Sequence, residues 1–355
     1  AQLVVTSFLL GYAIGPLIYG PLANRFGRKK AFYIGIGLST LGSLFSILSS
    51  PFESFDLLIL GRALEALGSS VGLVVCLTII NDFYFPEKSR KVISLMTLTF
   101  AIVPAIAVAL GGVLTNYFGW QSCFYFLLAY GLILIIPAAK MPETLIKKDL
   151  SALKLSHLYK NYLAVFKIKK LWAYSMIFGF STACAYLFAA EGPMIGINEL
   201  HFAPATYGLL GMIPSLGALM GSLFSAKCAS FFSAKKMVML GFVLELLTSL
   251  VILGFFLVGL INLYTLLIPT IVLMMGHAII MSNASSLAMI QTEDKSHGSS
   301  MMNFVSLWMA VLMTFVLGMV QVSSALIMPI LFLITLFLML MTLCWVSYLA
   351  GSKEN

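Results

Sequence analysis

The sequence is made of apolar blocks about 20 residues long, each closed by a short polar or basic stretch. A helix rising 1.5 Å per residue needs about 20 residues to cross a hydrocarbon layer of ~30 Å, so block length alone dictates membrane-spanning helices. Composition agrees: of 355 residues, 61% are hydrophobic and 10% charged, against roughly 45–50% and about 25% in soluble domains. A soluble globular enzyme, a disordered chain and a disulfide-rich secreted module are excluded. A transmembrane β-barrel would alternate over ~10-residue strands. The fold class is all-α and polytopic.

The blocks predict eleven spans, over residues 3–22, 32–50, 57–81, 92–117, 121–139, 171–195, 206–231, 237–258, 263–288, 301–322 and 325–350. Basic residues fall in every other connection. Of the 21 Lys and Arg, all but Arg62 lie on one predicted face, and Arg62 lies within a span. Positive loops stay cytoplasmic, so the net charge of +8 reports topology rather than nucleic-acid binding. The linker and the C-terminus are expected in the cytoplasm. Five scattered cysteines, without CxxC or metal spacing, read as small buried apolar residues.

The lysine-rich stretch 140–170 is the one linker. Leu155, Leu158, Tyr162 and Phe166 recur in it at helical spacing, which predicts a helix along the inner surface; a solvated tether is the alternative. The linker separates an N-terminal bundle, 1–139, of five spans from a C-terminal bundle, 171–355, of six. Transporters built from repeats have equal halves, and the expectation is a twelfth span upstream of Ala1.

Charged residues inside spans are the functional candidates, because hydrocarbon penalises them by ~3 to more than 10 kcal/mol. Arg62 and Glu65 stand three apart and share a helix face. They line a wet pathway in which Arg62 tunes a carboxylate that binds a proton or cation in alternation, or Arg62 snorkels with Glu65 as counter-ion. Glu191, beside Gly192-Pro193, and Glu245, flanked by leucines, are the other coupling candidates. His277 and Asn283 read as hydrogen-bonded packing residues. In the first basic loop, Gly20 and Gly27 allow sharp turns, and Arg25 or Arg28 is expected to pair with Asp82 as a breakable latch at the inner mouth. Paired small residues (Gly11 with Gly15, Gly217 with Gly221) predict close helix approach.

That loop reads Gly20-Pro21-Leu22-Ala23-Asn24-Arg25-Phe26-Gly27-Arg28-Lys29-Lys30 and resembles the signature of the major facilitator superfamily. Gly61-Arg62-Ala63-Leu64-Glu65 is similar to that superfamily's arginine helix. Pro104 with Gly111-Gly112, then Gly119-Trp120-Gln121 and Pro142-Glu143-Thr144-Leu145, look like its twelve-helix drug:proton antiporters of the Bcr/CflA type. The chain departs from the pattern at Asn24, usually Asp, at Glu65, usually Gln, and at Val108, usually Pro. The resemblance implies two pseudo-symmetric bundles in a bacterial inner membrane. Its cytoplasmic gate would use Gly20, Asn24, Arg25, Gly27, Arg28 and Asp82, with a helix-bend motif at Pro104, Gly111 and Gly112. It further implies a monomeric, proton-coupled exporter of lipophilic or cationic drugs, with no cofactor, no metal and no enzymatic activity. A superfamily carrier of one metabolite (siderophore, sugar or amino acid) is the alternative.

Overall fold

The computed structural model describes residues 2–202, 204–319 and 325–351. Fourteen α-helices carry them: α1 (Gln2–Phe26), α2 (Arg28–Leu48), α3 (Phe55–Ser69), α4 (Leu77–Phe83), α5 (Pro86–Phe118), α6 (Gln121–Lys140), α7 (Leu155–Phe166), α8 (Lys169–Met194), α9 (Pro204–Leu210), α10 (Ser215–Cys228), α11 (Ala234–Leu257), α12 (Leu263–Ile290), α13 (Lys295–Met319) and α14 (Ile327–Gly351). There is no strand among the described residues. The described part of each apolar block is mainly helical, though a turn at 211–214 breaks the block 206–231 into α9 and α10. Eight described helical stretches are long and apolar enough to cross a membrane. The expected connection at Ser323-Ser324 and the basic tail residue Lys353 lie outside the described residues.

Local chemistry sets several boundaries. Ser54 Oγ accepts the Leu57 N–H at 3.2 Å and caps α3, with Asp56 in its first turn; both complement the exposed amides of a helix start. Asn262 and Thr265 form a reciprocal capping box at α12. Gly27, at φ +104°, ends α1 and starts α2, a conformation that side chains with a Cβ rarely adopt. A π-helical turn, Gly72–Cys76, joins α3 to α4, and a second, Ile195–Glu199, follows Pro193 at the end of α8.

The chain divides into two compact units. One holds Ala1–Phe83, Ile106–Lys167 and Thr292–Phe304, and the other Tyr84–Ala105, Ile168–Gln291 and Val305–Asn355. In the first unit α3 packs on α1 and α2, and α2 on α6, around Tyr19, Ala23, Ala31, Val71, Val74 and Val75. In the second, α12 packs against α8, α10 and α11, and α14 against α8 and α11. The linker forms the amphipathic helix α7 rather than a free tether, and the Tyr162 hydroxyl donates to the Leu17 carbonyl of α1.

The cysteines correct the sequence reading. Cys184 is buried, but Cys76, Cys123 and Cys228 are half-buried and Cys344 is exposed. A span presents an apolar face outward as well as inward, so apolar character does not fix the side on which a residue lies.

The small-residue pairs do bring helices close. A Cβ on Gly217 would collide with the Ile271 backbone, and one on Gly221 would stand 2.9 Å from Met275 Cα. Gly217→Val should therefore force α10 from α12 and destabilise the protein by about 1–3 kcal/mol, lowering its thermal midpoint in detergent. Gly254→Ala, with open space around it, should leave that midpoint unchanged or slightly raised.

Candidate functional site

A chain of polar side chains crosses one end of the first unit, built on the turn between α1 and α2. Arg28 donates through Nε to Asp82 Oδ2 at 2.9 Å and through Nη1 to Asn24 Oδ1 at 3.0 Å. Asn24 Nδ2 in turn donates to Asp294 at 2.9 and 3.0 Å. Asp294 also caps α13, accepting the His297 N–H at 3.1 Å, while its Oδ2 lies 2.5 Å from His297 Nδ1. The Tyr162 ring meets the His297 ring edge-on at 4.9 Å. Arg28 rather than Arg25 thus meets Asp82; the Arg25 guanidinium donates to the Leu150 carbonyl.

Glu143 fixes the turn from the other side. Its carboxylate accepts the N–H groups of Arg28 and Lys29 at 2.9 and 3.2 Å, so an anion sits on the N-terminus of α2. A Cβ on Gly27 would overlap that carboxylate. Gly20 plays a similar part on α1, where a Cβ would meet Ser300 Oγ and stand 3.0 Å from the Ser296 carbonyl.

Asn24 is the instructive departure. An aspartate there could not donate to Asp294 and would bring two carboxylates together. Burial works against the Asp294 charge, but the His297 ring, the Asn24 amide and the His297 backbone N–H hold its carboxyl down at about 2.

Farther along the unit, Arg62 Nη1 pairs with Glu65 Oε2 at 2.8 Å, with side-chain exposures of 21% and 6%. The guanidinium also stands 4.3 Å from the centre of the Phe8 ring and 5.8 Å from that of Phe124, within cation–π range. Glu191 is half-buried in α8, one turn before the π-helical segment.

In the second unit Glu245 is fully buried. Ser181 Oγ lies 2.5 Å from Glu245 Oε1 and 2.9 Å from His277 Nδ1. His277, read as a packing residue, therefore shares a serine with one of the coupling candidates. Asn283 keeps the packing role, donating to Ser225 and to the Ile279 carbonyl. Gly111 lies in α5 with open space about it, and Pro104, Val108 and Gly112 belong to the same helix. Among the described residues no group of three or more His, Cys, Asp or Glu could hold a metal ion.

Sequence reading missed Asp294, His297 and Ser181, and it singled out Glu143 within a motif without giving it a role. Asp294 carries a local signal, an acidic residue just before a helix. Its partner Asn24 is 270 residues away, and no local pattern announces that contact.

Comparison with known proteins supplies the family context. The model described as Major Facilitator Superfamily matches residues 1–312. The bicyclomycin resistance protein homolog of Haemophilus influenzae is 25% identical over 266 residues, covering 72% of this chain and 65% of that protein. Multidrug resistance protein D of Escherichia coli is 27% identical over 290 residues, 81% of this chain and 71% of that one. Among solved structures, that of the proton:xylose symporter XylE superposes with a TM-score of 0.79 at 13% identity, covering 97% of this chain and 85% of XylE. The chain spans 54–65% of the length of three of its curated relatives.

The polar chain predicts a charge-swap result. Asn24→Asp should destabilise the protein by about 1 kcal/mol, and the double variant Asn24→Asp/Asp294→Asn should recover most of the loss in thermal unfolding. Because Asp294 is held below its ordinary value, its contribution is complete above about 3.9 and is lost as pH falls through about 2. The advantage of wild type over Asp294→Asn should stay level from pH 7 to 5 and shrink below about 4.

Proposed function

The chain belongs to the Major Facilitator Superfamily, and from that premise we propose that it is a secondary transporter exporting lipophilic or cationic drugs in exchange for protons. It is a multi-pass membrane protein, with the bacterial inner membrane as its proposed location and the linker and C-terminus in the cytoplasm. The relative named for multidrug resistance supports the substrate class. Transport runs by alternating access, with 1–139 and 171–355 as the two working halves and 140–170 as the tether.

The observation that carries this reading is the Arg62–Glu65 pair. A guanidinium in a membrane helix requires a partner, and here the partner is a carboxylate 2.8 Å away, with aromatic rings beside it. Such a pair can exchange its internal bond for a bond to a bound cation or a proton, which links occupancy to conformation. Glu191 and Glu245 are the further coupling residues. The group Gly20, Asn24, Arg25, Gly27, Arg28 and Asp82 acts as the cytoplasmic gate. Pro104, Gly111 and Gly112 form its helix-bend element.

Lysine keeps the charge of Arg62 but loses its planar fork. In proteoliposomes under a pH gradient, wild type should move tetraphenylphosphonium and unrelated lipophilic cations. Arg62→Lys should lose at least ~10-fold of that gradient-driven rate, the scale of a lost charge-assisted bond. Movement of a single polar solute in place of the cations would overturn the export reading, and wild-type rates in Arg62→Lys would make the pair structural.

The gate makes a separate prediction. Asp82→Ala removes the acceptor of Arg28, so spin-label distances across the cytoplasmic ends of the helices should shift toward the open population. An unchanged distribution would remove the latch from the mechanism.

A further inference from the structure

The Glu245 cluster is built in a way that packing alone does not explain. Glu245 has no surface exposure, and its Oε2 has no hydrogen-bond partner. Its other oxygen meets a serine hydroxyl, itself fully buried, that also meets His277. His277 retains partial exposure. Space for the carboxylate comes from glycine: a Cβ on Gly276 would stand 2.9 Å from Glu245 Cγ, and one on Gly241 would stand 2.8 Å from the Gly276 carbonyl. Two helices have given up side chains at the point where a carboxylate enters. The groups facing Glu245 are Ser181 and Cys184 from α8 and His277 from α12, and the described part of α14 contains no Asp, Glu, Lys, Arg or His. Among the described residues no ion pair reaches this acid.

We propose that His277, Ser181 and Glu245 form a proton relay that loads the fully buried carboxylate through the half-buried His277. It rests on the proton-coupled reading above and names the residues that carry the ion. Ser181 has one hydroxyl hydrogen and two neighbours, so its bond can point only one way at a time. In the unloaded state His277 Nδ1–H donates to Ser181 Oγ, and the Ser181 hydroxyl donates to the Glu245 carboxylate. A proton then binds His277 Nε2, and the Nδ1–H bond breaks as a new O–H bond forms on Ser181. The original Ser181 O–H breaks in turn as Oε1–H forms on Glu245. One proton has entered, the hydroxyl has reversed, the imidazole is neutral with its hydrogen on Nε2, and Glu245 is a neutral acid. Reversal releases the proton by the same path.

The test is infrared difference spectroscopy on the protein in phosphatidylethanolamine–phosphatidylglycerol vesicles, following the carboxylic-acid C=O band after a pH step. One titrating band should be absent in Glu245→Gln. Its rise should slow at least ~10-fold in Ser181→Ala and in His277→Gln, in line with loss of a positioned proton-transfer group. Ser181→Thr, which keeps the hydroxyl, should restore the rate and control for folding. A band unchanged by Glu245→Gln, or a rate unchanged in Ser181→Ala, would overturn the relay. This readout needs no transported compound, so a wild type that moves no tetraphenylphosphonium but shows the band defeats only the export reading. Wild-type pH-driven movement in Glu245→Gln would instead overturn the relay as the coupling path.

Discussion

A polar group surrounded by hydrocarbon has no water to fall back on, so it must find its partner inside the fold or bear the cost of going without. The π-helical turn between α3 and α4 shows the rule on the backbone. Widening the helix there disturbs the regular carbonyl pairing, and Asn303 and Ser299 of α13 donate to the Leu73 and Val74 carbonyls at 3.0 and 3.3 Å. The same demand gathers Ser94, Ser225, Ser282 and Asn283 into one buried hydrogen-bonded group in the second unit. Helix positions follow from these pairings as much as from apolar packing, because between apolar helices in lipid the hydrophobic drive is weak.

The turn between α1 and α2 shows how a local change of charge is answered at a distance. An amide at position 24 both accepts from Arg28 and donates to Asp294, a double role that a carboxylate lacks. The negative charge is instead carried by Asp294 at the start of α13, where the amides of a helix N-terminus stabilise an anion. Reading the loop motif alone gives a gate that has lost a charge. In the fold a negative charge stands beside that amide on Asp294, and His297 and Tyr162 extend the chain of contacts.

The legible part of this protein is the part written in runs. Block length announced the spans, glycine spacing announced close helix approach at Gly217 and Gly221, and the pattern of Leu155, Leu158, Tyr162 and Phe166 announced α7. The Arg62–Glu65 pair was readable because its members are one turn apart. Contacts set by tertiary packing were not readable. Glu143 reaches the start of α2 across more than a hundred residues, and Ser181 looks like any serine in an apolar helix until α11 and α12 bring Glu245 and His277 to it. Four of the five cysteines, all but Cys184, failed for a different reason, since the outer face of a span is as apolar as its inner face.

The two buried carboxylates differ in what a proton would do to them. Glu65 is held by a guanidinium three residues away, so neutralising it strands the Arg62 charge and breaks a bond that positions the side chain against Phe8. That change is structural, suited to a site where occupancy must be felt by the helices. Glu245 has only neutral partners and one oxygen without any. Neutralising it strands nothing; it reverses one hydroxyl and removes an uncompensated charge. A group of this kind can hold an ion without disturbing its surroundings, whereas a group of the first kind signals. In the proton-coupled exchange proposed for this chain, the two behaviours would be divided between Glu65 and Glu245.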